Sequence, residues 1–180
     1  MRDESAPHPP IDPRALRNAL GQFATGVAIV TAPGLDGQDV GMTISSFNSV
    51  SLDPPLLLFS IARNAHSLAT LEVAGRIGIN ILSSAQEDLS SRFARAGTEK
   101  WKDCTRAVDE HGAPLIEGAL AHFECAPYAQ HDGGDHVIFV VRVLRFATPH
   151  DAEPLIFFKG KYRSVTGLPM PGETQMESHS

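Results

Sequence analysis

Met42 to Ser51 contains an unusual concentration of side chains that can hydrogen-bond a ligand. Five of these ten residues carry hydroxyls and one carries an amide, and no charged residue occurs between Gly41 and Leu52. Hydroxyl and amide groups can bond phosphate oxygens, ribityl oxygens and the polar edge of a flat heterocycle, while apolar neighbours cover its face. Both properties together suit a flavin, so the segment predicts a cofactor site formed by Thr43, Ser45, Ser46, Phe47, Asn48, Ser49, Val50 and Ser51.

The same composition also fits a solvated edge strand with a serine-rich loop. The segment is followed directly by Asp53-Pro54-Pro55, where the prolines restrict the backbone. A polar loop held between two strands and beside a stiff turn has fixed geometry, which a preorganised binding site requires. Position therefore favours the cofactor site.

A second candidate lies at Gly133-Gly134-Asp135-His136. Glycine permits close approach of a ligand to the backbone. His136 can donate a hydrogen bond to a carboxamide or to a developing charge, and Asp135 can set its orientation or tautomer, which suits nicotinamide recognition. The alternative is that His136 is an ordinary structural or exposed loop histidine.

Other chemistries fit the sequence less well. His131, Asp132, Asp135 and His136 are close in sequence but match no closed zinc pattern, so no metal site is predicted. No GxSxG elbow supports a Ser-His-Asp hydrolase.

Three helices are predicted around these segments. Asp12 can cap the first, Pro13 suits its first turn, and an apolar stripe leads to an expected end at Gly26. A second helix is expected over 67–74. Ser84 and Glu87 form a capping-box pattern for a third, which runs to about Ala94.

The remaining elements are predicted to be strands joined by turns. A hairpin at 33–37 links 27–31 to Val40, and the almost continuously apolar run 56–61 predicts a strand buried on both faces. Because no regular βαβ alternation occurs, the fold class is mostly β with flanking helices and a mostly antiparallel sheet, as in a barrel. The other predicted strands are 76–82, 118–128, the segment after the Gly133-Gly134 turn to about 146, 155–158 and 162–165.

Bulk properties limit the classes of partner. The 180 residues fit one domain, over 12–166, between an N-terminal tail of residues 1–11 and a C-terminal tail of residues 167–180. A formal charge of −6 without any Lys/Arg cluster argues against duplex nucleic acid. The N-terminus has no apolar leader, and runs such as Val137 to Val141 are too short for a bilayer, which predicts a cytoplasmic protein without a membrane span and with two free thiols.

The combination of motifs is similar to one known family. Gly41-Met42-Thr43 through Ser46-Phe47, then Val50 to Pro55, then Gly133 to His136, resemble the flavin reductase family with the FMN-binding split-barrel fold. The resemblance covers about Asp12 to Val165. It includes Gly21 to Gly26, Arg92-Phe93-Ala94 and Phe158 to Tyr162.

The resemblance implies an antiparallel split β-barrel with Greek-key-like strand order and a homodimeric enzyme. Such enzymes oxidise NADH or NADPH, reduce FMN or FAD, and release reduced flavin to a separate flavin-dependent monooxygenase component. An electron-transfer or storage flavoprotein without NAD(P)H turnover is the alternative. A flavin oxidase of pyridoxine phosphates is a third possibility, which the scarcity of Arg and Lys around Met42 to Ser51 disfavours.

The resemblance also suggests roles for individual residues. Thr43, Ser45, Ser46, Ser49 and Ser51 would line the flavin, and Ser60, Ile61 and Ala62 would border it. Ser67 and Arg92, with Phe93 beside it, would approach its phosphate. Gly134, Asp135 and His136 would meet the nicotinamide nucleotide, with His136 as the candidate catalytic residue, and Tyr162 would help close the pocket. The strand after the turn, at Val140-Val141-Arg142, lacks a glycine common in relatives.

Overall fold

The computed structural model describes residues 10–34, 37–97, 99–108 and 112–165. The predicted C-terminal tail, the domain end at Thr166 and the N-terminal tail up to Pro9 lie outside these residues, as does Asp36 of the predicted hairpin.

Three short α-helices occur in the described chain: α1 (Pro13–Leu20), α2 (Leu68–Val73) and α3 (Glu87–Phe93). Asp12 caps α1 as predicted, because its carboxylate accepts a hydrogen bond from the Arg14 amide at 2.9 Å. The predicted end at Gly26 is wrong. The helix ends at Leu20 with Gly21 as its cap, since Thr25 and Gly26 pair instead with another strand.

The predicted capping box is displaced by one residue. A 3₁₀ turn, Ser84–Gln86, precedes α3, and the box is formed by Ser83 and Gln86 rather than by Ser84 and Glu87. The Gln86 side chain accepts a hydrogen bond from the Ser83 amide at 3.1 Å. Glu87 lies instead in the first turn of α3, where a negative charge interacts favourably with the helix dipole.

The described ranges also contain twelve strands. They are β1 (Thr25–Gly26), β2 (Ala28–Ala32), β3 (Val40–Ile44), β4 (Asn48–Leu52), β5 (Pro55–Ala62), β6 (Ile77–Ile81), β7 (Arg106–Val108), β8 (Pro114–Ile116), β9 (Ala121–Gly133), β10 (His136–Ala147), β11 (Ile156–Phe158) and β12 (Lys161–Arg163). The short β1, β7 and β8 were not predicted, and β4 lies in the stretch that was predicted to be a polar loop. β9 begins three residues later and ends five residues later than the predicted 118–128.

Seven strands make one antiparallel sheet in the order β3-β2-β6-β9-β10-β5-β4. Neighbours such as β2 and β6, or β10 and β5, are not consecutive in the chain, which agrees with a Greek-key-like order. β3 lies against β5, but no ladder joins the two edge strands β3 and β4 among the described pairings. The mostly β, antiparallel prediction is confirmed.

Buried side chains form two clusters, and alternate residues of β2 belong to different ones: Ala28 and Val30 to the first, and Ile29, with Leu82 and Phe93, to the second. The first cluster lies on one face of the sheet. Phe59 of β5 and Phe139 of β10 stack with ring centroids 5.1 Å apart, and Ile61 and Ile79 are fully buried beside them. Burying each such side chain contributes roughly 1.5–3 kcal/mol. The prediction that β5 is buried on both faces holds only in part, because Leu58 and Ser60 are half-buried on the opposite face.

No helix in the described ranges has the length and apolar character needed to cross a membrane.

Candidate functional site

The polar stretch is partly strand rather than loop. Only Ser45 to Phe47 is a loop, and Asn48–Leu52 forms the edge strand β4, which pairs with β5. A register shift between Ser49 and Ser51 leaves Val50 in a bulge. Because an edge strand is paired on one side only, its other side is open to a ligand or a partner.

Two predicted hydroxyls are already bonded within the protein. Thr43 donates to the Ser90 carbonyl of α3 at 2.7 Å. Ser46 donates to the Ser60 carbonyl at 3.1 Å and accepts from the Ser60 amide at 3.0 Å. These two side chains therefore stabilise the fold of the segment.

The other serines of the stretch remain open to a ligand. No described residue hydrogen-bonds the hydroxyls of Ser45, Ser49 or Ser51. Ser45 and Ser49 are exposed and Ser51 is half-buried. Three free hydroxyls on one edge are the donor set that ribityl and phosphate oxygens need.

The structure brings the second candidate close to the first. His136 of β10 lies opposite Ala62 of β5, and Ile138 lies opposite Ser60. Residues directly opposite each other in an antiparallel ladder share a sheet face, so His136, Ala62 and Ser60 line the face away from the Phe59–Phe139 core. Ser60 in turn is bonded to Ser46. The β5 strand thus joins the serine stretch to the histidine turn.

The turn between β9 and β10 holds His136 through its neighbour. Gly134 has a φ of 73°, which favours glycine. The Asp135 carboxylate lies 2.7 Å from His136 Nδ1. This hydrogen bond, and then the charge of the imidazole, lower the pKa of Asp135 below its usual value. The predicted pairing of Asp135 with His136 is thus present in the structure.

Arg63 contacts the same turn and was not predicted. Its guanidinium donates to Asp132 and to the Gly134 carbonyl, and the hydrogen bond and charge of Arg63 lower the pKa of Asp132. No motif singled it out, because its partners lie about seventy residues away in sequence.

A cavity of about 860 Å³ opens beside the start of the polar stretch. Of the predicted residues it is lined by Ser67 and Phe93, with Gly41 and Met42 at its wall and the basic side chains of His66, Arg95 and Lys100 around it. Asp39 is the one acidic residue in this lining, so the basic groups outnumber it and an anionic group could be accommodated. Ser67 is buried at the start of α2 and its side chain does not cap the helix.

Lys100 and Trp101 fix one wall of this cavity. Lys100 Nζ donates to the carbonyls of Gly41 and Phe93, both at 3.1 Å, and partial burial lowers the pKa of its amine. The Trp101 indole packs edge-on against Phe93 with centroids 4.9 Å apart. Sequence analysis missed both, although Trp101 is the only tryptophan in the chain.

Four predicted residues are packed against, or bonded to, other parts of the protein. Ile61 is fully buried in the core, so only its backbone could border a cofactor. The Phe47 ring packs on the Phe123 ring, with centroids 5.9 Å apart. Arg92 donates to the Lys102 carbonyl, and Tyr162 Oη lies 2.8 Å from Ser90 Oγ.

Ser90 is a further residue that sequence analysis missed. It is fully buried, and it links two predicted site residues because its carbonyl accepts from Thr43 while its hydroxyl contacts Tyr162. Both contacts are long-range, so no local pattern could reveal them.

Within the described ranges, no group of three or more His, Cys, Asp or Glu side chains is arranged to hold a metal ion. His131, Asp132, Asp135 and His136 are all described.

Known proteins that are similar to this chain show its family. Residues 20–166 match the family described as a flavin reductase like domain. The FMN reductase (NADH) SmoA of Agrobacterium fabrum is 46% identical over 149 residues, which cover 83% of this chain and 84% of the relative. HsaB, the reductase subunit of a flavin-dependent monooxygenase of Rhodococcus jostii, is 35% identical over 171 residues, which cover 93% of this chain and 87% of the relative.

A solved structure supports the same relationship. The NADH:FAD oxidoreductase SgcE6 of Streptomyces globisporus, in complex with NAD and FAD fragments, matches with a TM-score of 0.82 at 34% identity, and the match covers 89% of this chain and 98% of that chain. Fold, motifs and sequence similarity over most of the chain together show that this protein belongs to the flavin reductase-like family.

Proposed function

We propose that this protein is an NAD(P)H-dependent flavin reductase that reduces FMN or FAD. The observation that carries the proposal is the position of His136 opposite Ala62, two residues along β5 from Ser60, which is bonded to the serine stretch. Two sets of polar groups, one suited to each cofactor, therefore meet across a single strand. Membership of the flavin reductase-like family supports the same activity.

The residues fit a flavin. The free hydroxyls of Ser45, Ser49 and Ser51 would bond its ribityl chain or ring edge, and the cavity at Ser67, with Lys100 and Arg95 nearby, would take its phosphate. Thr43 and Ser46 would act indirectly, because their own hydroxyls are used to shape the segment.

A bound flavin would supply the acceptor for the hydride of reduced nicotinamide, so no general base would be required of the protein. The chain's own residues align the two partners. His136, held by Asp135, would donate a hydrogen bond to the nicotinamide carboxamide, and its side chain is 42% exposed and therefore accessible. Alignment of this kind accelerates a reaction by removing the entropy cost of bringing two rings together.

The names of the relatives favour NADH as donor and a monooxygenase as recipient of the reduced flavin. SmoA is an FMN reductase (NADH), and HsaB is the reductase subunit of a flavin-dependent monooxygenase. We propose the same roles here, with reduced flavin diffusing to its recipient. The use of NADH as donor, as in SmoA, favours a cytoplasmic location.

We also propose a homodimer. Helix α1 has no buried residue, and Leu20 and Phe23 are 67% and 77% exposed. Phe146 and Leu52 add further exposed apolar surface on strands. A second copy would cover such surface, which is unusual on a monomer.

The test is a turnover assay with purified protein. NADH or NADPH is mixed with excess FMN or FAD, and loss of reduced-nicotinamide absorbance is followed. We expect catalytic turnover with at least one pairing. Flavin binding without turnover in any pairing would contradict the proposal and would favour the storage or electron-transfer alternative.

A further inference from the structure

Arg63 makes three hydrogen bonds to one short turn. It follows the last residue of β5, and its amide donates to the Asp135 carbonyl at 2.9 Å. Its Nε donates to the Gly134 carbonyl at 2.8 Å, and its Nη2 donates to Asp132 Oδ1 at 2.5 Å. Backbone and side chain of one residue thus hold both carbonyls in the middle of the turn and the carboxylate at its edge.

Asp132 completes the arrangement. The carboxylate oxygen that Arg63 contacts also accepts from the Gly134 amide, at 3.3 Å. Gly134 is therefore held at both its amide and its carbonyl. A glycine at positive φ in an exposed turn has high conformational entropy when free, so these bonds restrict the residue most able to move.

The restriction passes to His136 through Asp135. Asp135 is bonded to Arg63 through its carbonyl and to His136 through its carboxylate. A shift of the Asp135 backbone would move the carboxylate that orients the imidazole.

A stabilising role alone does not account for this arrangement. The Arg63 and Asp132 side chains are 49% and 79% exposed, and exposed ion pairs contribute little to the stability of a fold. Their effect is local and falls on the turn that carries His136.

We propose that Arg63 is a positioning residue for the nicotinamide nucleotide: with Asp132 it fixes the Gly134-Asp135 turn and so sets the orientation of His136. The inference rests on the proposed function. It differs from a direct binding role because the guanidinium is already engaged with protein acceptors.

The experiment compares Arg63→Ala, Arg63→Lys, Asp132→Ala and the Arg63→Ala/Asp132→Ala double variant with wild type. Arg14→Ala, an exposed arginine on α1, is the matched control. Steady-state kinetics give KM for NADH and for FMN, flavin fluorescence gives the FMN dissociation constant, and thermal unfolding reports folding.

We expect Arg63→Ala to raise KM for NADH roughly tenfold, which is the effect of losing hydrogen bonds to a charged group. The FMN dissociation constant should stay within about twofold of the wild-type value, and the melting temperature within about 2 °C. Arg63→Lys should restore part of the loss, since an ammonium can bond one acceptor but not the fork. The double variant should be no worse than Arg63→Ala, because both side chains act on one turn.

An unchanged KM for NADH in a folded Arg63→Ala protein overturns the inference, as does an equal loss of FMN affinity. If Arg63→Ala does not fold, Arg63→Lys and Asp132→Ala decide by the same criteria. Failure of wild type to oxidise NADH would instead remove the proposed function, so the two failures are distinguishable.

Discussion

Ser46 hydrogen-bonds both the amide and the carbonyl of Ser60, at 3.0 and 3.1 Å. The β4 ladder begins with Asn48 opposite Leu58, so the Ser46 hydroxyl takes the place of a backbone partner two residues further along β5. The Ser46 side chain thus completes the hydrogen bonding of the β5 backbone at Ser60, while Ser45 and Ser49 keep their hydroxyls free.

Replacing Ser46 by alanine should therefore cost stability. Ser46→Ala leaves the Ser60 amide and carbonyl without their partner, which costs roughly 1–2 kcal/mol. Ser45→Ala, at an exposed hydroxyl, should change stability by less than about 0.5 kcal/mol but weaken flavin binding. Urea unfolding and flavin fluorescence measure the two effects, and equal stability of both variants would contradict the assignment.

Gly41 should not tolerate a methyl group. A Cβ there would lie 2.4 Å from Phe93 Cε1 and 2.7 Å from Cδ1, so Gly41→Ala should destabilise the protein by roughly 1–3 kcal/mol. Gly75→Ala is the matched control, because a Cβ there meets nothing within 4 Å. Thermal unfolding compares them, and the fluorescence of Trp101, which packs on Phe93, should change only in Gly41→Ala.

His136→Ala should impair use of the nucleotide more than flavin binding. Loss of an orienting hydrogen bond should raise KM for NADH, or lower kcat, on the order of tenfold, while FMN affinity stays near that of wild type. His150→Ala, at an exposed histidine, is the control. Unchanged KM and kcat in His136→Ala would remove the role proposed for this residue.

The β9–β10 turn should show a defined dependence on acid. The pKa of Asp132 is lowered by its hydrogen bond from Arg63 and by the charge of that guanidinium. A carboxylate with a depressed pKa in the folded state contributes its full stabilisation above the ordinary aspartate range and loses it as pH falls through the lowered value. The stability difference between wild type and Asp132→Asn, which is small because the pair is exposed, should therefore be constant from neutral pH down to about 4 and shrink below it. A difference that vanishes already at pH 6 in urea unfolding would argue against the pair.

The two cysteines should differ in reactivity. Burial, and then the charge of Glu124, raises the pKa of Cys125 to about 12, whereas Cys104 is only half-buried. A thiol reagent at pH 8 should not label Cys125 in the folded Cys104→Ser variant, because the thiolate is the reactive form. Labelling should begin only when this variant is unfolded. Rapid labelling of that variant in native buffer would show that Cys125 is accessible.

Several features could be predicted because they depend on local chemistry. Asp12 caps α1 through an amide two residues away, and Asp135 contacts the adjacent His136. The apolar runs of the sequence predicted β5, β6 and β10, because strand periodicity is likewise a property of consecutive residues. Errors arose where tertiary pairing overrides local preference: Gly26 joins β1 because β11 is available as a partner.

The sequence by itself determined the chemistry of the candidate site: hydroxyls without charge at Met42 to Ser51, the stiff turn Asp53-Pro54-Pro55 beside them, and a glycine turn before His136. Only the tertiary structure decided which hydroxyls remain free and what holds the histidine. Ser46 bonds Ser60, Thr43 bonds Ser90, and Arg63 bonds Gly134 across fourteen, forty-seven and seventy-one residues of chain. Side-chain hydrogen bonds to distant backbone carry no periodic signature, so they become visible only when the sheet has brought the strands together.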